Sequence, residues 1–246
     1  MPLIGTRDIT PLLAGAPALD NLDAEPWAIE GVETLQVTFE IDDADREGLL
    51  PKALHPTIPP SVIVSAVRYP DSPIGPFSLA AVRVSCRAAA LPRGFLLRAW
   101  TDSPKAADAL GRRGGDTCAV GDVKVARYHD RITATVRDGD REILRASLID
   151  PEPISGGDIQ YVASMNLATH GGKPLLVQVD PEFRFHRAER GRPSIDVFDR
   201  AAWQAEGVDP VYPMIASLTV ADSGFPAIRF VLDPDQMAVT GTRKIR

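Results

Sequence analysis

The sequence predicts an α+β fold, mostly antiparallel β, in which one curling or closing sheet carries a few short helices. Three observations predict it. Apolar and polar residues alternate through Leu35, Val37, Phe39 and Ile41, the period of a strand with one buried face. The "RDGD" run at 137–140 joins two strand-like segments with hairpin turn residues. Helix-like periodicity is confined to short pieces, with no repeat on the order of 20 to 50 residues.

The elements follow in order. "DDADREGLLP" (42–51) reads as a short helix ended by Pro51. "SVIVSAVRY" (61–69) and "SLAAVRVSCR" (78–87) read as strands joined by the Pro/Gly turn segment "PDSPIGPF". "GFLLRAWTD" (94–102) is a further strand. Over 103–111, Ser103 suits an N-cap, Pro104 the first helical position and Gly111 the stop. "DVKVARY" (122–128) and "RITATV" (131–136) are strands turned by His129-Asp130, and "REILRASL" (141–148) follows. "PLLVQVDPEFRFHRAE", "SIDVFD", "PMIASLTVAD" and "AIRFVLD" supply more β. No linker divides the chain, so a single domain over 1–246 is expected, with residues 1–30 as an N-terminal extension.

Composition narrows the function. The 246 residues, 44% hydrophobic and 24% charged, suit a globular protein with a proper core. No apolar run reaches the ~18 residues of a membrane span, and the first residues lack a signal-peptide pattern. The expectation is a cytoplasmic protein without a membrane partner. Net charge is −6 with no basic block, which argues against a nucleic-acid surface. A small anion remains within reach of one or two arginines. Cys86 and Cys118 are too few for a disulfide framework or a four-thiolate zinc site. His55, His129, His170 and His186 show no metal-ligand spacing, and no cofactor is expected.

Lysine is the informative residue. Of 27 basic residues only Lys52, Lys105, Lys124, Lys173 and Lys244 are lysines. An amine that attacks a carbonyl must be one of these or the N-terminus, because arginine stays protonated.

The stretch "GRRGGDTCAV" (111–120) has the look of a site. It fails as a phosphate loop, because Asp116-Thr117 stands where a Lys-Ser/Thr pair is required. It fails as a dinucleotide fingerprint, because it runs helix, glycines, strand. No GxSxG elbow marks a serine hydrolase.

The order of elements resembles acetoacetate decarboxylase. "LLPKALHP" followed by "PPSVIVSAVRYPDSPIGPFSLAAVRVSCR" is similar to that family's Leu-Pro-x-x-Leu, strand, Gly-x-Tyr-x-Glu turn and strand. "ALGRR" resembles its Gly-Arg-Glu, "GGKPLLVQV" its Gly-x-Pro strand start, and "SIDVFDRAAWQAEGVDPVYPMIASLTVAD" its late segment. The resemblance runs over residues ~30 to 233. It implies a curved, cone-like antiparallel sheet around a buried pocket, and a homo-oligomer.

The resemblance also implies a lysine pair after Gly-Arg-Glu, one forming a Schiff base and its neighbour lowering the pKa. Ungapped counting from Gly111 puts that pair on Ala119 and Val120, and the Glu of Gly-Arg-Glu on Arg113. The acid of Gly-x-Tyr-x-Glu falls on Leu79, after Phe77, and a second acid falls near Val64. Each matched position lacks its reagent. Lys124, four residues past Val120, keeps the same face in an uninterrupted strand, although ~13 Å further along. Asp122 nearby would raise its pKa, the wrong direction for an amine nucleophile.

The expected protein is therefore a small-molecule enzyme of lyase or isomerase type rather than a true acetoacetate decarboxylase. It acts on a keto or polyketide-like acid in specialised metabolism without a Schiff-base lysine, as a cyclase, dehydratase or isomerase. A decarboxylase or aldolase-dehydratase using Lys124 is the alternative, and a non-catalytic small-molecule-binding protein is another. The binding residues expected are Arg112, Gln178, Val64, Leu79, Phe77 and Val120, around an apolar cavity suited to a ligand larger than acetoacetate.

Overall fold

A computed structural model of the chain describes residues 3–42 and 46–245. The chain starts with α1 (Thr10–Leu13), β1 (Trp27–Glu40), β2 (His55–Pro56), β3 (Ser61–Tyr69), β4 (Phe77–Ala88) and β5 (Leu91–Thr101). Next come α2 (Pro104–Gly114), β6 (Cys118–Val120), β7 (Asp122–Arg127), β8 (Arg131–Asp138) and β9 (Arg141–Ile154). The last part holds β10 (Ala163–His170), β11 (Lys173–Val179), β12 (Glu182–Phe198), β13 (Tyr212–Phe225), β14 (Ile228–Leu232), α3 (Ala238–Gly241) and β15 (Thr242–Lys244).

All the strands join one sheet, mostly antiparallel, ordered β15-β14-β11-β10-β5-β4-β3-β1-β13-β12-β9-β8-β7. β2 pairs with β4, and β6 pairs with β5. Among the described strand pairs, β5–β10 and β5–β6 run parallel. The sheet is curved but not closed: β15 and β7 lie at opposite ends of its path. It curls far enough for β7 to pack against β3, β4 and β5.

Period-two alternation explains what the curl encloses. Leu35, Val37 and Phe39 of β1, Val62, Val64 and Ala66 of β3, and Val82 and Val84 of β4 enter one large core. Ile132, Leu144 and Leu148 reach it from the far end of the sheet. Trp203 is fully buried there, its indole N–H donating to the Ile143 carbonyl at 3.1 Å. The opposite face of β1, β3 and β4 carries a second, smaller cluster around Tyr69, Phe77, Leu79 and Phe225.

The elements differ from the sequence reading in two places. The helix expected to stop at Gly111 continues to Gly114 and ends at Gly115, which has φ 72°. Ser103 does cap it, accepting from Ala106 N at 3.2 Å. Of the helix expected over 42–51, residues 43–45 lie outside the described residues, and 46–49 form turns. Residues before β1 are tied down: Thr169 N donates to the Pro17 carbonyl and Leu19 N to the Thr169 carbonyl, both at 2.8 Å. Among the described residues no helix is long and apolar enough to cross a membrane.

Candidate active site

A cavity of about 90 Å³ opens on the second face of the sheet. β1 lines it with Val32, Thr34 and Gln36, β3 with Ser65, Val67 and Tyr69, and β4 with Leu79 and Arg83. These positions alternate with those that enter the large core. A bulge between Ile29 and Val32 sets the register on β1. Gly31 makes it, at φ 65°, with its N–H donating to Asp222 Oδ1 at 3.1 Å. That extra residue keeps Ile29 and Val32 on one face in spite of their odd spacing.

Arg83 is the cation of the cavity. Its Nε donates to Ser164 Oγ at 3.0 Å and its Nη1 to Ser65 Oγ at 2.8 Å. Burial lowers its pKa, and Asp116 opposes that shift. As a whole residue it is only half-buried, because the surface it keeps is cavity wall. Ser164 Oγ passes a hydrogen bond on to Asn166 Oδ1 at 2.5 Å, and Asn166 Nδ2 donates to the Gly114 carbonyl at 2.8 Å.

Asp116 is the anion, placed by the end of α2. A side chain on Gly115 would meet Ala168 Cβ at 2.9 Å, and its positive φ favours glycine independently. The chain therefore turns tightly and delivers the next residue, Asp116, to the cavity at 2% exposure. Burial pushes the carboxyl pKa up to about 6, against the opposing pull of Arg83 and a hydrogen bond with Asn166. Oδ2 has no hydrogen-bond partner. A buried oxygen in that condition is costly unless something binds it.

Two phenols and the Ser223 hydroxyl also line the cavity. Tyr161 OH sits 2.8 Å from Thr219 Oγ1, and its pKa is raised to about 12, by burial first. Tyr69 is raised further by burial and stacks between Phe77 at 4.5 Å and Phe225 at 5.7 Å. Both stay neutral at physiological pH.

The structure distributes the expected site residues unevenly. Leu79 lines the cavity, and Phe77 backs it through Tyr69. Val64 points into the large core, and the adjacent Ser65 takes the cavity side. Gln178 is buried beside the cavity-lining Val179 and accepts from Arg93 Nε at 2.9 Å. Neighbours along a strand face opposite ways, so an offset of one residue moves a side chain out of the site. Val120 is 48% exposed. Arg112 lies on the exposed side of α2, bonded to Asp108 at 2.9 Å, and lines an open groove that reaches Asp116 from the side away from Arg83 and Tyr69.

Lys124 belongs to a different strand from Val120. β6 sits beside β5, whereas β7 forms the far edge of the sheet. The Lys124 side chain is 68% exposed, and its ammonium is bonded to Asp122 at 2.5 Å. None of the five lysines lines the cavity. Arg113 lies over the Trp27 ring at 4.7 Å. The cavity walls combine aliphatic and aromatic groups with a buried guanidinium and carboxyl.

Sequence reasoning missed Arg83, Asp116 and Asn166. Arg83 and Asn166 each interrupt an apolar strand, in "LAAVRVSC" and "SMNLA", and that interruption was the available signal. Asp116 lay inside the stretch singled out, but its charge counted only against phosphate.

The acetoacetate decarboxylase (ADC) family matches residues 11–164. The chain belongs to the acetoacetate decarboxylase family. A solved acetoacetate decarboxylase superposes with TM-score 0.74 at 16% identity, covering 85% of this chain and 90% of that one. The acetoacetate decarboxylase of Legionella pneumophila gives 0.73 at 17% identity, with 83% and 86% covered. The enduracididine biosynthesis enzyme MppR, complexed with pyruvate, gives 0.66 at 15% identity, with 80% and 87% covered. At these identities the likeness is one of fold. No curated protein sequence matches the chain.

Proposed function

We propose that this member of the acetoacetate decarboxylase family is a small-molecule enzyme that moves protons on a short keto acid, by isomerisation or dehydration, without a Schiff base. The observation that carries the reading is the Asp116 carboxyl. It is buried, has one unpartnered oxygen and shares a cavity with Arg83. MppR, of the same fold, has been solved with pyruvate, a keto acid of a size suited to about 90 Å³. Ligand pockets more commonly span roughly 300–1,000 Å³, so a compact substrate fits better than a large one.

The roles follow from the chemistry. Arg83 binds an oxygen of the substrate and stabilises negative charge that builds on it in the transition state. In the ionised fraction of the complex, Asp116 takes a proton from the carbon next to the ketone while charge builds on the oxygen held by Arg83, then returns one to carbon or to a departing hydroxyl. It ends in the protonation state in which it began. A carboxyl with a pKa of about 6 suits both halves near neutral pH. The exposed Lys124 counts against the Schiff-base alternative.

Proton transfer is testable without knowing the natural substrate. In D₂O the protein should speed deuterium entry next to the ketone of pyruvate, 2-oxobutyrate or acetoacetate, read by proton NMR. Asp116→Asn should slow this by roughly 10²- to 10⁴-fold, the usual worth of a positioned acid–base group. Equal exchange in Asp116→Asn would contradict the assignment. Bound but unexchanged ligand would favour a binding protein, and a borohydride-trapped adduct on Lys124 would favour the Schiff base.

A further inference from the structure

We propose that the cavity takes up its carboxylate ligand together with one proton, which settles on the unpartnered oxygen of Asp116. The inference rests on the assignment of this cavity as the substrate site, and it concerns binding alone. Its basis is charge balance in an enclosed space. Around Asp116 stand Arg83 of β4, Tyr69 of β3 and the Cys118 thiol of β6. Burial raises the pKa of both Tyr69 and Cys118, so neither carries charge at neutral pH. Tyr161, also a lining residue, is neutral for the same reason.

Arg83 and Asp116 therefore sum to zero before any ligand arrives. An added carboxylate leaves the cavity with an uncompensated negative charge, an arrangement that buried sites avoid strongly. Protonating Asp116 restores neutrality. Because its pKa is about 6, that step costs only about tenfold in affinity at pH 7. Gly114 leaves room for Oδ2, since a Cβ there would come within 2.8 Å of it. Protonated, Asp116 no longer repels the anion, and the guanidinium N–H groups not spent on Ser65 and Ser164 are left to hold it.

Isothermal titration of pyruvate, in buffers of different ionisation heat at pH 7, counts the protons. The wild-type protein should take up close to one proton per pyruvate, and its affinity should fall about tenfold per pH unit above 6. Asp116→Asn should bind pyruvate with no uptake and flat pH dependence. Methyl pyruvate, which is neutral, should bind the wild type without uptake. Arg83→Gln gives an independent reading, since losing the cation should weaken pyruvate far more than methyl pyruvate. Pyruvate binding without uptake, uptake that persists in Asp116→Asn, or no pyruvate binding would each overturn the proposal. Uptake in a protein that exchanges no deuterium would uphold it and refute the catalytic reading.

Discussion

The two faces of β1, β3 and β4 are made of alternate residues on the same backbones, yet they follow opposite rules. One face is uniformly apolar, with Leu35, Val37, Phe39, Val64 and Val82 in the large core. The other places Thr34, Gln36, Ser65 and Arg83 around a cavity that also receives Asp116. The first face stabilises the fold by removing area from water. The second keeps polar groups inside, satisfies most of them with one another, and leaves Asp116 Oδ2 unbonded. In this molecule, the core and the candidate site are one residue apart.

That contrast can be broken from either side, and the largest effect should come from the core. Phe39 is fully buried and packs edge-on against Phe198 at 5.8 Å. Phe39→Ala should cost about 3–5 kcal/mol in denaturant unfolding, with pyruvate affinity unchanged in the folded fraction. A large loss of affinity with intact folding would show that the faces are not separable.

On the cavity face, the same kind of measurement should show a gain. Raising a carboxyl pKa means that the folded state holds the proton more tightly than the unfolded chain. Stability should therefore fall as pH rises from about 4, the ordinary aspartate value, through about 6. Asp116→Asn removes this penalty. Relative to wild type it should gain about 2 kcal/mol between pH 4 and pH 7, and little below pH 4. A difference independent of pH would contradict the burial of that charge.

Smallest of all should be changes at two residues expected from the sequence to bind or react. Lys124→Ala and Arg112→Ala should each alter stability by less than about 0.5 kcal/mol. Neither should change deuterium exchange. A tenfold loss of exchange in Lys124→Ala would restore the Schiff-base alternative.

The same contrast explains what the sequence could tell. The core face was legible because apolar alternation has one common cause, burial against another layer. β3, β4, β5 and the β8–β9 hairpin followed directly. The cavity face was obscured because a polar residue alternating along a strand reads as solvent-facing. Thr34, Gln36 and Ser65 carry no mark that separates a cavity from bulk water. The family resemblance supplied the fold and the α2 region, and ungapped counting from Gly111 led to Ala119 and Val120. Two glycines end the helix and turn the chain at once, so Asp116 reaches the cavity while Ala119 and Val120 lie beyond it. The curl of the sheet also separated β6 from β7, a separation that no count along the chain reveals.

The claim on which the rest depends is that Asp116 is a buried proton carrier facing the ligand. Its carboxyl carbon, followed by ¹³C NMR across pH with and without pyruvate, tests this directly. The account predicts titration near pH 6 in the free protein and a higher midpoint with pyruvate bound. A midpoint at or below the ordinary aspartate value of about 4, unmoved by pyruvate, would contradict it.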